Sequence, residues 1–288
     1  MFILSITILA IIQGLAELLP VSSSAHVIIA EKILGLDPTS PDMTLLLVML
    51  HTGTMLAVII FFWKSWKETY FSSRKEAWRY AKLLFLATAM TGIVGMTIKM
   101  AIERYAFHNA PKAEIELLFG NLPLIACSLA VVGILIIFSG LRFHRTVNDQ
   151  ETFVQTKQAA WIGLIQGLCL PFRGFSRSGA TISCGLLTGL SRRPAEEFSF
   201  ALAVILTPPV VIREAMRLIG SHQTIAPGIG PAMSLFLPGV LGLALSFFSG
   251  LLALRWLTRC LDRGKWHYFG YYCLCAAVAV LILHRTGY

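Results

Sequence analysis

Residues Gln13 to His26 read Q-G-L-A-E-L-L-P-V-S-S-S-A-H. Apolar sequence surrounds this stretch, yet it holds Gln13, Glu17, three consecutive serines and His26. Gln13 and Glu17 stand four residues apart and share a face on a helix. Pro20 stops that helix, because proline cannot continue the hydrogen-bond ladder. Ser22, Ser23 and Ser24 are then candidate N-caps for a second helix from about Ala25. The pattern is a helix, a break and a new helix, with polar groups crowded at the break. In hydrocarbon such a break is tolerated only where it is buried in protein or lines a watery cavity. A carboxylate there is a functional-site candidate.

The rest of the chain supplies the hydrocarbon. Of 288 residues, 56% are hydrophobic and only 14% charged, and the mean hydropathy is +0.72. Soluble domains carry about 25% charged residues. Apolar runs recur along the whole length, which predicts an all-α polytopic membrane protein of one domain over 1–288. The net charge of +9 is concentrated in a few loops, a positive-inside pattern rather than a nucleic-acid footprint. The cysteines show no metal-ligand spacing, and most lie in apolar runs as small hydrophobes. Ser23-Ser24-Ala25 resembles a signal-peptide cleavage site, but residues 1–12 carry no lysine or arginine and Glu17 interrupts the apolar region, which argues against cleavage.

Residues 2–19 and 27–36 are short for independent spans and read as a re-entrant pair. Clear spans follow near 43–63, 80–102 and 122–142. A second interrupted region comes next: apolar 159–170, the loop Pro171 to Gly179, then apolar 180–190. Three more spans lie near 198–218, 231–257 and 267–284. Ile12-Gln13-Gly14-Leu15 recurs as Ile165-Gln166-Gly167-Leu168, and at the same offset Ala10 falls on Gly163 and Ser23 on Ser176. Ala10/Gly14 and Gly163/Gly167 are matching small-xxx-small pairs that let helices approach closely. Each interrupted region precedes three spans, so the second half inserts upside down. The expected architecture is six transmembrane helices plus two re-entrant helix-loop-helix pairs, in inverted repeats of about 1–146 and 147–288. Lys64, Lys67, Arg74, Lys75, Arg79 and Lys82 mark a cytoplasmic loop, as do Arg142, Arg145 and Lys157, then Arg192 and Arg193, then Arg255, Arg259, Arg263 and Lys265. The loop with Glu103, Arg104, Lys112, Glu114 and Glu116 is balanced, as expected outside. Arg213 and Arg217 fit this topology less well. Both termini fall outside.

The second loop, Gly-Phe-Ser-Arg-Ser-Gly over 174–179 with Thr181 behind it, has the composition of an anion clamp. Glycines let successive N–H groups curl toward an anion, and arginine forms bidentate bonds to phosphate. Serine hydroxyls and a helix N-terminus add donors. An arginine at membrane depth needs an anionic partner, for which phosphate or Glu17 would serve.

These two stretches, with His51-Thr52-Gly53-Thr54 between them, closely resemble the undecaprenyl-diphosphate phosphatase family of bacitracin-resistance membrane enzymes. The resemblance covers nearly the whole chain in order, spacing and span count. It implies hydrolysis of the C55 isoprenoid diphosphate to the monophosphate that carries peptidoglycan precursors, in the bacterial cytoplasmic (inner) membrane. It also implies an active site facing the extracytoplasmic side and a divalent cation, Mg2+ or Ca2+. By the same resemblance Glu17, Ser23, His26 and Arg177 are catalytic. Ser22, Ser24, Ser176, Ser178 and Thr181 are expected to bind substrate phosphate, and Glu17 with Gln13 to hold or support the metal. Gln13 stands where many members have glutamate, so a cation site here is poorer in charge. Ala25 replaces a common glycine and Ala16 a common threonine. The expected partners are the C55 lipid and the bilayer, with no nucleic acid; a homodimer is compatible with the sequence but not dictated by it.

The chemistry fits independently. Phosphoryl transfer needs charge neutralised on the phosphoryl oxygens, a positioned nucleophile and a proton carrier. Ser23 or a water would attack, with Glu17 as base or metal ligand. His26, three residues after Ser23 and on the same helix face, could move the proton. Each residue alone has a plainer reading: serines as an N-cap, His26 as a satisfied polar group, Arg177 as an interface marker. Gln166 reads as a structural polar group and His51 as an interhelical contact. Arg192, Arg193, Glu196 and Glu197 read as a solvated loop, and Trp63, Trp66, Trp78, Trp161, Trp256 and Trp266 as interfacial anchors. The rival function is a polyprenyl-phosphate or other lipid transporter or flippase, since inverted repeats with broken helices also build transporters.

Overall fold

The computed structural model describes residues 2–36, 41–106, 120–143, 152–221 and 229–286. Its elements are helices: α1 Phe2–Leu18, α2 Ser23–Leu34, α3 Pro41–Thr69, α4 Arg74–Ala106, α5 Leu122–Phe143, α6 Thr156–Cys169, α7 Arg177–Leu187, α8 Arg192–Ser221, α9 Ile229–Asp262 and α10 His267–Arg285. The protein is all-α and polytopic. Among the described residues, five helices are long and apolar enough to cross a membrane: Met43–Thr69, Arg74–Arg104, Leu122–Arg142, Leu237–Asp262 and His267–Arg285. The run expected as a sixth span lies in α8, a continuous 30-residue helix that carries Pro208 and Pro209; it is not one of the five. Lys112, Glu114, Glu116 and Arg145, used above to orient the chain, lie outside the described residues, as do the side chains of Arg213 and Arg217.

Helix contacts follow the small residues. α1 packs on α9, and α6 on α4. A Cβ on Gly14 would lie 2.6 Å from the Ser246 carbonyl oxygen, and one on Gly163 would lie 2.7 Å from the Ala87 Cα. Neither site has room for a side chain, which is what close helix approach in lipid requires. The Thr91 hydroxyl on α4 lies 2.9 Å from the Gly163 carbonyl and accepts from Gln166 Nε2 at 3.0 Å. Gln166 thus ties α6 to α4. The main core joins Phe62 and Trp66 of α3 to Phe198 and Phe200 of α8, with Phe62 and Phe200 stacked at 5.4 Å.

Two surface assignments are corrected. Residues 192–197 form the first turns of α8 rather than a solvated loop, and Glu196 and Glu197 are buried. Glu197 accepts from Ser65 and from Arg193 Nε, and Glu196 accepts from Thr258 at 2.7 Å. These bonds compensate the burial of the carboxylates and join the ends of α3, α8 and α9. Trp66 and Trp266 are also internal. Trp66 stacks between Phe62 and Tyr70, and the Trp266 indole N–H lies 3.1 Å from both Ser139 and Ser183 hydroxyls. The other four tryptophans are exposed.

Candidate active site

Four helix ends converge on the site. α1 stops at Leu18 ahead of Pro20, and α2 restarts at Ser23. Between them Ser22 adopts φ 68°, the one positive φ at a non-glycine residue among those described. Such a residue persists only where its surroundings over-determine it, and strained backbone of this kind clusters at functional sites. Here the His26 ring contributes, its Nδ1 lying 2.8 Å from the Ser22 carbonyl oxygen. On the other side α6 ends at Cys169, and the loop leads to α7 at Arg177. Ser176 caps α7 by accepting from the Gly179 N–H at 3.2 Å. The two breaks touch directly: the Gly174 N–H donates to Ser24 Oγ at 3.4 Å, and Ser178 Oγ donates to the Leu19 carbonyl at 3.3 Å.

Glu17 is the hub. Its Oε1 accepts from Arg177 at 3.1 Å. Its Oε2 accepts from Ser23 Oγ at 2.5 Å and from Gln13 Nε2 at 3.2 Å. His51 Nε2 on α3 lies 3.9 Å from the same oxygen. This carboxylate of an apolar helix is therefore matched by a guanidinium, a hydroxyl and an amide, with an imidazole nearby. The 2.5 Å contact is at the short end for O–H···O⁻ bonds. It holds a hydroxyl against a carboxylate within the reach that a proton transfer between them requires.

His26 bonds elsewhere than to Ser23, although their spacing places the two on one helix face. Its Nε2 lies 2.7 Å from the Tyr272 hydroxyl of α10, and the two rings stack at 5.7 Å. A carbonyl can only accept, so the Ser22 contact makes Nδ1 the N–H and leaves Nε2 as the lone pair of the neutral ring. That lone pair accepts the Tyr272 O–H. The Leu47 carbonyl, 2.8 Å from His51 Nδ1, likewise makes that nitrogen an N–H donor.

The structure thus brings together Gln13, Glu17, Ser23 and Arg177 directly, with His26 one residue away through Ser22. Ser22 and Ser24 lie at the same break, their hydroxyls 3.2 Å apart. Ser176 and Ser178 are buried, Ser176 capping α7 and Ser178 donating across to the first break. The Thr181 hydroxyl faces away from the others: it is 2.5 Å from Ser199 and 2.8 Å from the Arg177 carbonyl, which anchors α7 to α8. Two residues at the site were not singled out from sequence as functional. His51 was visible only as part of a short motif, and Tyr272 lies in a tyrosine-rich run that carries no motif.

Residues 6–279 match the family described as bacitracin resistance protein BacA. The chain belongs to this family. It is 52% identical to undecaprenyl-diphosphatase 2 of Acinetobacter baylyi over 98% of both chains. It is 30% identical to the undecaprenyl-diphosphatase of Bdellovibrio bacteriovorus, over 98% of this chain and 95% of that one. An undecaprenyl-diphosphatase of Bacteroides fragilis is likewise 30% identical, with 96% and 97% covered. In this BacA family member the donor set for a cation is sparse. Among the described residues no group of three or more His, Cys, Asp or Glu side chains comes together. Both oxygens of Glu17 already accept hydrogen bonds from the protein.

Proposed function

We propose that the protein hydrolyses undecaprenyl diphosphate to undecaprenyl phosphate and inorganic phosphate, with the two helix breaks as its active site. The observation that carries this reading is Glu17, which binds Ser23 of its own break and Arg177 of the other. Anion binding would need Arg177 and loop amides, but it would not need a hydroxyl held 2.5 Å from a carboxylate. The lipid tail stays in the bilayer while the diphosphate enters between the breaks. Arg177 turns from Glu17 Oε1 to the terminal phosphoryl group, whose charge it neutralises in a bidentate contact. Ser23 Oγ attacks phosphorus and its proton passes to Glu17. The bond from phosphorus to the bridging oxygen breaks, and undecaprenyl phosphate leaves. Water then cleaves the phosphoserine and the proton returns from Glu17 to Ser23, so the sum is diphosphate plus water giving monophosphate plus phosphate. His26 Nε2 accepts the proton of that water once the Tyr272 hydroxyl has turned away from it.

A divalent cation, Mg2+ or Ca2+, fits this site only in company with the substrate. Glu17 and the Gln13 amide oxygen would hold it, but they supply too few of the roughly six oxygens it takes, and phosphate oxygens must supply others. Bound there, it would neutralise phosphoryl charge. In our reading α8 is the sixth span, α1–α2 and α6–α7 are the re-entrant pairs of two inverted repeats, and the site opens to the outer face of the cytoplasmic membrane.

Phosphate release from the C55 diphosphate by purified protein in detergent, with either cation, tests the reading. Capture of phosphate on Ser23 in a single turnover is the expected result. Absence of release under all these conditions would promote the rival reading, a lipid transporter of similar architecture.

A further inference from the structure

At the opposite end of α6 from Arg177 lies a cleft of about 530 Å³ between the start of α4 and the start of α6. Lys75, Trp78, Arg79 and Lys82 line it from α4, and Val154 and Thr156 from the approach to α6. The α4 residues follow i, i+3, i+4, i+7 spacing and share one face. Arg79 forms the wall: it binds Glu76 at 3.0 Å and donates to the Val154 carbonyl at 3.0 Å. Lys75 and Lys82 are exposed, and among the described residues neither has a carboxylate partner. Lys82 Nζ sits 5.6 Å above the Trp78 ring, which is itself 65% exposed. The lining contains no acidic side chain. The first turn of α6 also points its N-terminal dipole end here, which favours negative charge.

We infer that this cleft binds the phosphodiester headgroup of an anionic phospholipid. Positive charge complements the phosphate, and the exposed tryptophan lies where an amphipathic ring meets the headgroup layer. Basic pockets between helices at this level take such headgroups. The size suits a headgroup rather than a single inorganic ion, since small-molecule sites run to about 300–1,000 Å³. The inference is independent of the catalytic reading, because no cleft residue touches the site around Glu17.

The control that makes it testable is on the same end of the bundle. Lys64 and Lys67 at the end of α3 are exposed too but do not line the cleft. Binding of phosphatidylglycerol to the full-length protein in phosphatidylcholine nanodiscs, read by native mass spectrometry, is compared across variants. Lys75→Ala and Lys82→Ala are each expected to weaken binding about fivefold, the equivalent of about 1 kcal/mol per basic residue. The Lys64→Ala/Lys67→Ala pair removes the same charge and should leave binding unchanged. Equal loss in both pairs would overturn the site in favour of diffuse surface charge. Retention of phosphatidylglycerol by Lys75→Ala/Lys82→Ala would overturn it outright. Displacement of the lipid by millimolar inorganic phosphate would overturn the lipid assignment and leave a free-anion site.

Discussion

The two helix breaks are equivalent in sequence and different in use. At the shared offset Gln13 corresponds to Gln166 and Ser23 to Ser176. Gln13 donates to the Glu17 carboxylate, whereas Gln166 donates to Thr91 in a helix interface. Ser23 donates to Glu17, whereas Ser176 caps its own helix. The first break turns Gln13, Glu17 and Ser23 toward the centre. The second uses Ser176 to cap its own helix and Ser178 to bind the Leu19 carbonyl of the first break, and sends Arg177 to the centre. Reactivity and preorganisation are thus divided between the halves, and the division can be broken residue by residue.

The largest contrast is between the two serines. Ser23→Ala should lower kcat by about 10⁴-fold or more, as removal of other covalent nucleophiles does, with little change in thermal unfolding. Ser176→Ala should retain kcat within about tenfold but lose about 1 kcal/mol of stability through the missing cap. Kinetics and unfolding curves in the same detergent decide it. A Ser23→Ala enzyme that keeps near-normal turnover would leave water as the attacking group.

Glu17→Gln and Arg177→Ala come next. Each should cut kcat by about 10²- to 10³-fold, the range for a missing base or a missing charge-stabilising donor. The two groups serve one step, so the double variant should lose less than the product of the singles. Full additivity, measured as a double-mutant cycle, would mean that they act independently once Arg177 has turned to the phosphate. The glutamines give a smaller effect in opposite currencies. Gln13→Leu should lower kcat about tenfold because a hydrogen bond to a charged group is lost, while Gln166→Leu should cost about 1 kcal/mol of stability with activity retained. If Gln166→Leu instead lowers turnover, the α4–α6 interface positions the Arg177 loop.

The breaks themselves were legible in the sequence, because proline and serine inside apolar runs have few other readings. The pairing of Glu17 with Arg177 was partly legible, since an arginine at membrane depth demands an anion. What sequence could not supply was direction. His26 shares a helix face with Ser23, yet its ring is turned by the Ser22 carbonyl toward α10, a contact across 246 positions. Spacing rules give the face of a regular helix, and they fail where a residue with positive φ sets the first turn. Glu196 and Glu197 failed for a related reason: charge predicts solvent only when no buried partner such as Ser65 or Thr258 is waiting.

Tyr272 gives the smallest effect and extends the comparison beyond the two breaks. Its hydroxyl holds the Nε2 lone pair of His26 and its ring stacks on the imidazole, while the neighbouring Cys273 thiol lies 3.3 Å from the Pro20 carbonyl. α10 therefore touches the first break twice. Tyr272→Phe keeps the stack and deletes one hydrogen bond, worth about 0.5–1.5 kcal/mol, so kcat should fall by about two- to tenfold. Tyr272→Ala removes the stack as well and should fall further. A graded series, wild type above Phe above Ala, would make α10 a third support of the site through His26. Equal activity in all three would confine the phenol to the lipid face, and the site would then rest on the two breaks and His51 alone.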